Sequence, residues 1–336
     1  MKKIALLAGV ALVFAACSKD DNGGDNPRDQ KSDFKGFLTS ETDSWVTENA
    51  VKVLGKSETT YTVPSGSTSS TTANLLEKEE TKTYEGIALL RGDKTTVYEY
   101  NGQNLISKRT VTDNKPVVFL KDVTVGTYQY DGNGRLTYSE EKHTQTHEHF
   151  GDFNQTTTKR VDYDSEGRVS SWVVETSGNL YNQVSDKTTT KYTVTYNGSV
   201  ATVEVVVSVT DKDSGKVTTN LPTYLRSTFD GEGRLTQYEV LSNGKAQVSR
   251  NTYKYDGKNN PKNVRALVAL NPENTVIGVS PKNNLSNQED YDENNKRTQQ
   301  HIYDYNYNDN GYPTKFTRND KPEGKDGTIH TIEYKY

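Results

Sequence analysis

Apolar and polar positions alternate in twos along most of this chain. Tyr192, Val194 and Tyr196 alternate with Thr193 and Thr195. Further on, Val203, Val205, Val207 and Val209 fall on one face, and Thr202, Glu204, Val206 and Ser208 on the other. A half-buried strand needs that period, because successive side chains point to opposite faces of a sheet. Between the two runs, Asn197-Gly198 is the strongest short hairpin signal, since a type I′ turn takes positive φ at both central residues. Asp211-Lys212-Asp213-Ser214-Gly215 turns the chain again.

The turns repeat as well as the strands. Tyr130-Asp131-Gly132-Asn133-Gly134-Arg135-Leu136-Thr137 recurs as Tyr163-Asp164-Ser165-Glu166-Gly167-Arg168-Val169-Ser170 and as Phe229-Asp230-Gly231-Glu232-Gly233-Arg234-Leu235-Thr236. Weaker copies begin at Tyr100, Tyr196, Tyr255 and Tyr307. The starts 100, 130, 163, 196, 229 and 255 are spaced by 30, 33, 33, 33 and 26 residues, and 255 to 307 is 52. Periods of that size mark repeated supersecondary units. Two turns per repeat leave strands of about ten residues, longer than the usual 5–6. Aromatic residues at a fixed phase before each corner predict a row of rings near one rim. Tyr98, Tyr128, Tyr253 and Tyr305, two residues earlier, predict a second row, both serving the sheet rather than a ligand.

The expected fold is therefore all-β: a long antiparallel meander of hairpin repeats, forming a curved sheet that is open or nearly closed like a barrel. Two or three strands are expected between Phe34 and Val63, a low-complexity loop from Pro64 to Thr72, and a closing strand over Thr328–Tyr336. One segment departs from the period. Val264, Leu267 and Val268 have helical spacing after Pro261, which predicts one short helix, roughly 261–270, lying on the sheet.

Composition changes this picture in one respect. Hydrophobic residues are 31% with tyrosine included, where the usual share, glycine counted in, is about 45–50%. Tyrosine (22 residues) therefore has to replace aliphatic core.

The N-terminus adds an address. Lys2 and Lys3 precede an apolar run from Ile4 to Phe14 and the small pair Ala15-Ala16, the layout of a secretory leader. Cys17, the single cysteine, follows directly. Phe14-Ala15-Ala16-Cys17 resembles a bacterial lipobox, with Phe14 in place of the usual leucine; the resemblance implies thioether lipidation of Cys17 and cleavage before it. An ordinary leader followed by an incidental cysteine is the alternative. Ser18-Lys19-Asp20-Asp21 resembles the export tag of Bacteroidota surface lipoproteins, and the same residues read equally as a solvated linker. The expected organisation is a leader at 1–16, a flexible acidic tether at 17–33 and one β-meander body at 34–336. Losing the two leader lysines takes the formal charge from −4 to −6. This mild, evenly spread acidity argues against a nucleic-acid partner.

The corners resemble YD (RHS-type) repeats, which are shorter and more regular. Tyr255-Asp256-Gly257-Lys258-Asn259-Asn260-Pro261, Lys282-Asn283-Asn284, Tyr305-Asn306-Tyr307-Asn308-Asp309-Asn310-Gly311-Tyr312-Pro313-Thr314 and Tyr334-Lys335-Tyr336 together resemble a Bacteroidota lipoprotein domain of unknown function with a porin-like fold. The resemblance implies a many-stranded, strongly curved sheet or barrel and no activity. It implies no pore, since the strands show no sustained outward apolar band.

Candidate chemistry is thin. His143, His147 and His149, with Glu141 and Gln145, share a face if this stretch is a strand, as a zinc site would need; an arm with exposed histidines is the commoner arrangement, and no partner to orient the rings is evident. The acidic corners lack the ligand spacing of an EF-hand, and turn chemistry accounts for their Asp and Gly. Asp162, Asp164 and Glu166 imitate a hydrolase pair, but every corner has acids. There is no nucleophile elbow, phosphate loop or nucleophilic cysteine. The expected protein is a surface or outer-membrane lipoprotein, held in the membrane by lipid on Cys17, with a binding, interaction or structural role. It is expected to have no cofactor, no metal and no catalysis, and a glycan or protein as ligand. The alternative is a glycan-active hydrolase accessory or a degenerate hydrolase.

Overall fold

The structure is a computed structural model that describes residues 38–47, 53–63, 75–85, 89–114, 119–180, 187–242, 246–263, 265–279, 282–324 and 327–336. The leader, Cys17, the tether and the 64–72 loop lie outside the described residues. The strands are β1 (Ser40–Thr47), β2 (Val53–Thr62), β3 (Lys78–Glu85), β4 (Leu89–Tyr100), β5 (Ile106–Asp113), β6 (Lys121–Tyr130) and β7 (Leu136–His147). There follow β8 (Gly151–Tyr163), β9 (Val169–Gly178), β10 (Lys187–Asn197), β11 (Val200–Thr210), β12 (Val217–Thr219), β13 (Thr223–Phe229), β14 (Leu235–Ser242) and β15 (Ala246–Asn259). After two helical turns, α1 (Arg265–Val268) and α2 (Asn274–Ile277), come β16 (Asn283–Tyr291), β17 (Arg297–Tyr307), β18 (Pro313–Pro322) and β19 (Thr328–Lys335).

Each strand pairs antiparallel with its neighbours in sequence, and β12 is a short extra strand on the end of β11, whose main partner is β13. The meander closes. β1 pairs with β19 over its whole length, from Ser40↔Lys335 to Thr47↔Thr328. The result is an eighteen-stranded barrel with one extra strand, and closure leaves none of the eighteen as an edge strand.

Directly opposed residues of an antiparallel pair share a face, so one face can be followed around the circle. Glu41, Tyr61, Glu79, Tyr98, Arg109, Glu141, Lys159, Trp172, Tyr192, Val203, Leu225, Tyr238, Tyr253, His301, Phe316 and Tyr334 belong to it, which returns to Glu41. It is the inner face. Leu267 and Leu270 pack with Tyr98, Ile106, Tyr128 and Leu136, and Val276 and Ile277 with Val161, Trp172, Val203 and Leu225. A segment this short can touch β4 to β13 at once only from within the ring. Residues 260–263 and 265–279 therefore form a plug, folded inward from the mouth at which β15 ends and β16 begins.

The expected short helix is α1, within 261–270, and it lies on the inner face of the sheet; α2, a second single turn, was not anticipated. Pro272 and Asn271, between the turns, stop either from growing. Two expectations are corrected. Tyr255-Asp256-Gly257 is no corner, because β15 runs on to Asn259 with a bulge. The hairpin at Asn197-Gly198 forms, but Asn197 pairs with Val200 inside the strands and only Gly198 (φ 58°) is left-handed.

Candidate functional site

The repeated corners all lie at one mouth, hereafter the corner rim, and the three that carry both Asp and Arg build the same set of bonds. Asp131 Oδ1 accepts from the backbone N–H groups of Asn133 and Arg135, both at 2.9 Å, while Oδ2 accepts from Arg135 Nε at 2.7 Å. Asp164 and Asp230 repeat these contacts with Arg168 and Arg234. Burial pushes the three carboxyls up; the N–H donors and the guanidinium more than offset it and hold them below the usual range. Gly134, Gly167 and Gly233 sit at φ 75–80°, where a Cβ would be strained.

The arginine then reaches the next repeat. Arg135 lies over the Tyr163 ring at 4.5 Å, and Arg168 over Tyr196 at 4.3 Å. In turn each tyrosine hydroxyl donates back to the first residue of the strand leaving the preceding corner. Tyr130 bonds the Ile106 carbonyl (2.8 Å), Tyr163 that of Leu136 (2.9 Å), Tyr196 that of Val169 (2.9 Å) and Tyr255 that of Leu235 (2.8 Å). The predicted tyrosine row is thus a lacing between hairpins, with Leu136, Val169 and Leu235 buried beneath it. Phe229 interrupts it for want of a hydroxyl, and Tyr307 turns instead to Asp256.

Below the corners the inner wall carries two polar networks. On the first, Tyr61 donates to Glu41 (3.3 Å) and Tyr98 to Glu79 (3.2 Å), while Tyr128 and Arg109 share Glu141 Oε1 at 2.8 and 2.7 Å. Glu79 is the one carboxyl among the described residues that is pushed up, first by burial and further by Glu41; Tyr98, Lys262 and Arg109 oppose this. On the second, His301 sits between two acids, Nδ1 2.5 Å from Asp320 and Nε2 3.4 Å from Asp290. Burial alone would lower its pKa, but bonds to Asp290 and Asp320 raise it to about 9. An imidazolium donating from both nitrogens is a structural cation rather than a base. Tyr303, Tyr305, Phe316 and Tyr334 stack beside it at centroid spacings of 5.0–6.5 Å.

Two lysines tie the plug to this wall. Lys262 pairs with Glu41 at 2.8 Å. Lys159, from β8, reaches Glu273 at 2.7 Å and the Leu270 carbonyl and Asn271 Oδ1 at 3.3 Å.

Among solved structures the chain is similar to a porin-like protein from Bacteroides uniformis, with 14% identity and a TM-score of 0.41, covering 89% of this chain and 97% of that one. It is also similar to a porin-like protein from Bacteroides vulgatus, with 10% identity and a TM-score of 0.35, covering 90% and 99%. A TcdB2–TccC3 structure matches at 12% identity and a TM-score of 0.28, over 84% of this chain and 16% of that one. No family model matches the chain, and no curated protein does.

Of the sequence-predicted histidines, His147 and His149 come together, with ring centroids 5.9 Å apart, and His143 stands apart from them. His143 Nε2 pairs with Asp122 at 2.7 Å on the inner face, where Gln145 also reaches Asp122 and Glu141 is held by Arg109. His147 ends β7 against Phe150 (4.7 Å), and His149 lies in the turn, its N–H donating to His147 Nδ1. Among the described residues no group of three or more His, Cys, Asp or Glu is placed to hold a metal ion. Asp164 belongs to a corner, and Asp162 accepts from Ser171 on the outer face. A cleft of about 530 Å³ lined by Asp152, Phe153, Asn154, Gly178, Asn179 and Lys212 opens at the mouth opposite the corners. It holds none of the inner ion pairs. The His301 and Glu79 networks went unread in the sequence, because their partners lie from 11 residues apart (His301 and Asp290) to 221 (Lys262 and Glu41).

Proposed function

We propose that this chain is a lipoprotein of the bacterial outer membrane or cell surface, whose barrel stands in water and serves binding or interaction rather than catalysis. One observation carries the reading: the outer face, too, is charged. Around the circle the outward face carries Lys56–Glu58, Lys108–Glu99, Lys187–Glu175, Arg226–Glu239, Arg297–Glu289 and Lys315–Glu333 ion pairs. A barrel in lipid presents an apolar band there, and each cation at the bilayer midplane would cost about 2–4 kcal/mol. Among the described residues no helix is long and apolar enough to cross a membrane. Attachment therefore falls to Cys17, with the acidic residues after it as tether.

Metabolic acyl labelling tests this directly. The wild-type chain takes up labelled fatty acid and Cys17→Ala does not; a labelled Cys17→Ala chain overturns the anchor. Protease shaving of intact cells separates a surface from a periplasmic body. A glycan-active role has a specific observation in its favour, the raised Glu79 carboxyl beside Glu41. Lys262 of the plug covers that pair, which favours structure over turnover. Glycan hydrolysis that disappears in Glu79→Gln would reverse this judgement.

A further inference from the structure

The mouth opposite the corners, the far rim, has a different surface. Every described large hydrophobic residue more than half exposed lies there: Leu221 (79%), Leu120 (69%), Phe150 (63%), Val217 (59%) and Leu89 (53%). Leu89 opens β4, Leu120 and Phe150 immediately precede β6 and β8, Val217 opens β12 and Leu221 stands just before β13. Leu120 and Phe150 cap adjacent hairpins, since the Leu120 N–H bonds the Thr146 carbonyl near the end of β7. Single exposed apolar residues are ordinary on a protein surface. Their confinement to one rim of a barrel with charged outer walls is not.

We propose that the far rim docks on a lipid bilayer, with these side chains dipping into the boundary between headgroups and acyl chains. Three features favour lipid over a protein pocket. The residues are separate points at hairpin ends around a mouth, a geometry that meets a fluid plane rather than one groove. Exposed lysines adjoin them, Lys121 beside Leu120 and Lys216 beside Val217, the mixture of apolar anchor and cation that interfacial segments use. Finally, the chain preceding the barrel is long enough. It leaves from the corner rim, where Ser40 pairs with Lys335; the residues between Cys17 and Leu38 span up to roughly 70 Å extended. The longest strand, β15 with 14 residues, is about 48 Å long. A barrel anchored through Cys17 can therefore set its far rim on the same membrane. The inference rests on the anchor reading for the nearness of a bilayer, not for the contact.

The test uses the mature chain, from residue 17, carrying Cys17→Ala so that no acyl group contributes. With vesicles of phosphatidylethanolamine and phosphatidylglycerol, it floats with the lipid. The triple variant Leu120→Ser, Phe150→Ser, Leu221→Ser lowers the bound fraction at least about tenfold, whereas Val97→Ser, on the outer wall, leaves it unchanged. A tryptophan introduced as Phe150→Trp shifts its emission to the blue when vesicles are added. A Cys17→Ala chain that stays with the soluble fraction overturns the proposal, as does a triple variant that floats as well as its parent. So does a parent that sediments as a dimer which the triple variant dissolves, since the rim then meets a second copy. Acyl labelling of the wild type reads the anchor separately, so the two ideas can fail independently.

Discussion

At the corner rim Leu136, Val169 and Leu235 follow an arginine and are buried; at the far rim Leu120, Phe150 and Leu221 stand at comparable hairpin ends and are exposed. The difference lies in the turns. A corner with Asp, Gly and Arg satisfies its own backbone and sends one charged arm to the next tyrosine, so the residue after the arginine is covered from both sides. The far rim is more varied. Its β16–β17 turn is built on Asp292, which accepts from Asn294 and Lys296, with Asn295 left-handed at φ 60°. It lacks the laced tyrosine, and among the described residues the far-rim turn on Asp211 is built differently, with Ser214 donating to Asp211 from both its N–H and its hydroxyl. One rim is built for cohesion, and the other keeps apolar side chains available.

The sharpest way to break that comparison is to empty the corner rim. Leu136→Ala removes a fully buried side chain and is expected to destabilise by about 2–5 kcal/mol, read as a lower denaturant midpoint. A loss below about 1 kcal/mol would mean that the corner rim is not a core.

A second, somewhat smaller effect concerns the wall between the rims. His301 has its pKa raised in the folded state to about 9, so its pairing stabilises fully below the unfolded value of roughly 6.5. That contribution fades as pH rises from there through about 9. Asp290 and Asp320 are held low: burial pushes them up, and His301 with the other donors more than compensates. Their contribution is present above roughly pH 4 and is lost as acid protonates them in the fold. Unfolding followed from pH 6 to pH 10 should show a loss on the order of 1–3 kcal/mol that His301→Gln flattens. An identical slope in the variant would remove the network from the account.

Third is the lacing itself. Tyr130→Phe keeps the ring and deletes one hydroxyl bond to Ile106, for about 0.5–1.5 kcal/mol, while Tyr130→Ala costs a few kcal/mol, nearer to Leu136→Ala. Equal melting of all three proteins would mean that the tyrosines serve some purpose other than stability. The smallest effect belongs to the far rim, where Leu120→Ser should move stability by no more than about 0.5 kcal/mol. A larger loss would show that the rim is packed rather than presented.

Much of the fold was legible because its signals are local. Tyr130 to Leu136 contain a complete corner, with every partner of Asp131 within four residues, and the alternation of Tyr192–Val209 appears as β10 and β11. The tyrosine row could be foreseen from phase alone. The polar site could not: Asp320 meets His301 across a register that no short window contains, and Lys159 finds Glu273 at a separation of 114 residues. Asp256 shows the limit of motif reading, since Tyr255-Asp256-Gly257 continues as strand where Asn101 and Asn308, equally without a bracing arginine, turn the chain.

Residue order by itself determined that this chain makes antiparallel hairpins with one laced rim, because a turn and its Asx and arginine bonds are settled among neighbours. Closure, the choice of inner face and the plug were decided only by the assembled sheet. Curvature accumulates over many strand pairs before Ser40 can meet Lys335. Which of two amphipathic faces turns inward depends on what fills the interior. Here Leu267, Leu270, Val276 and Ile277 cover an inner wall of tyrosine and carboxylate, and the charged face is left to water.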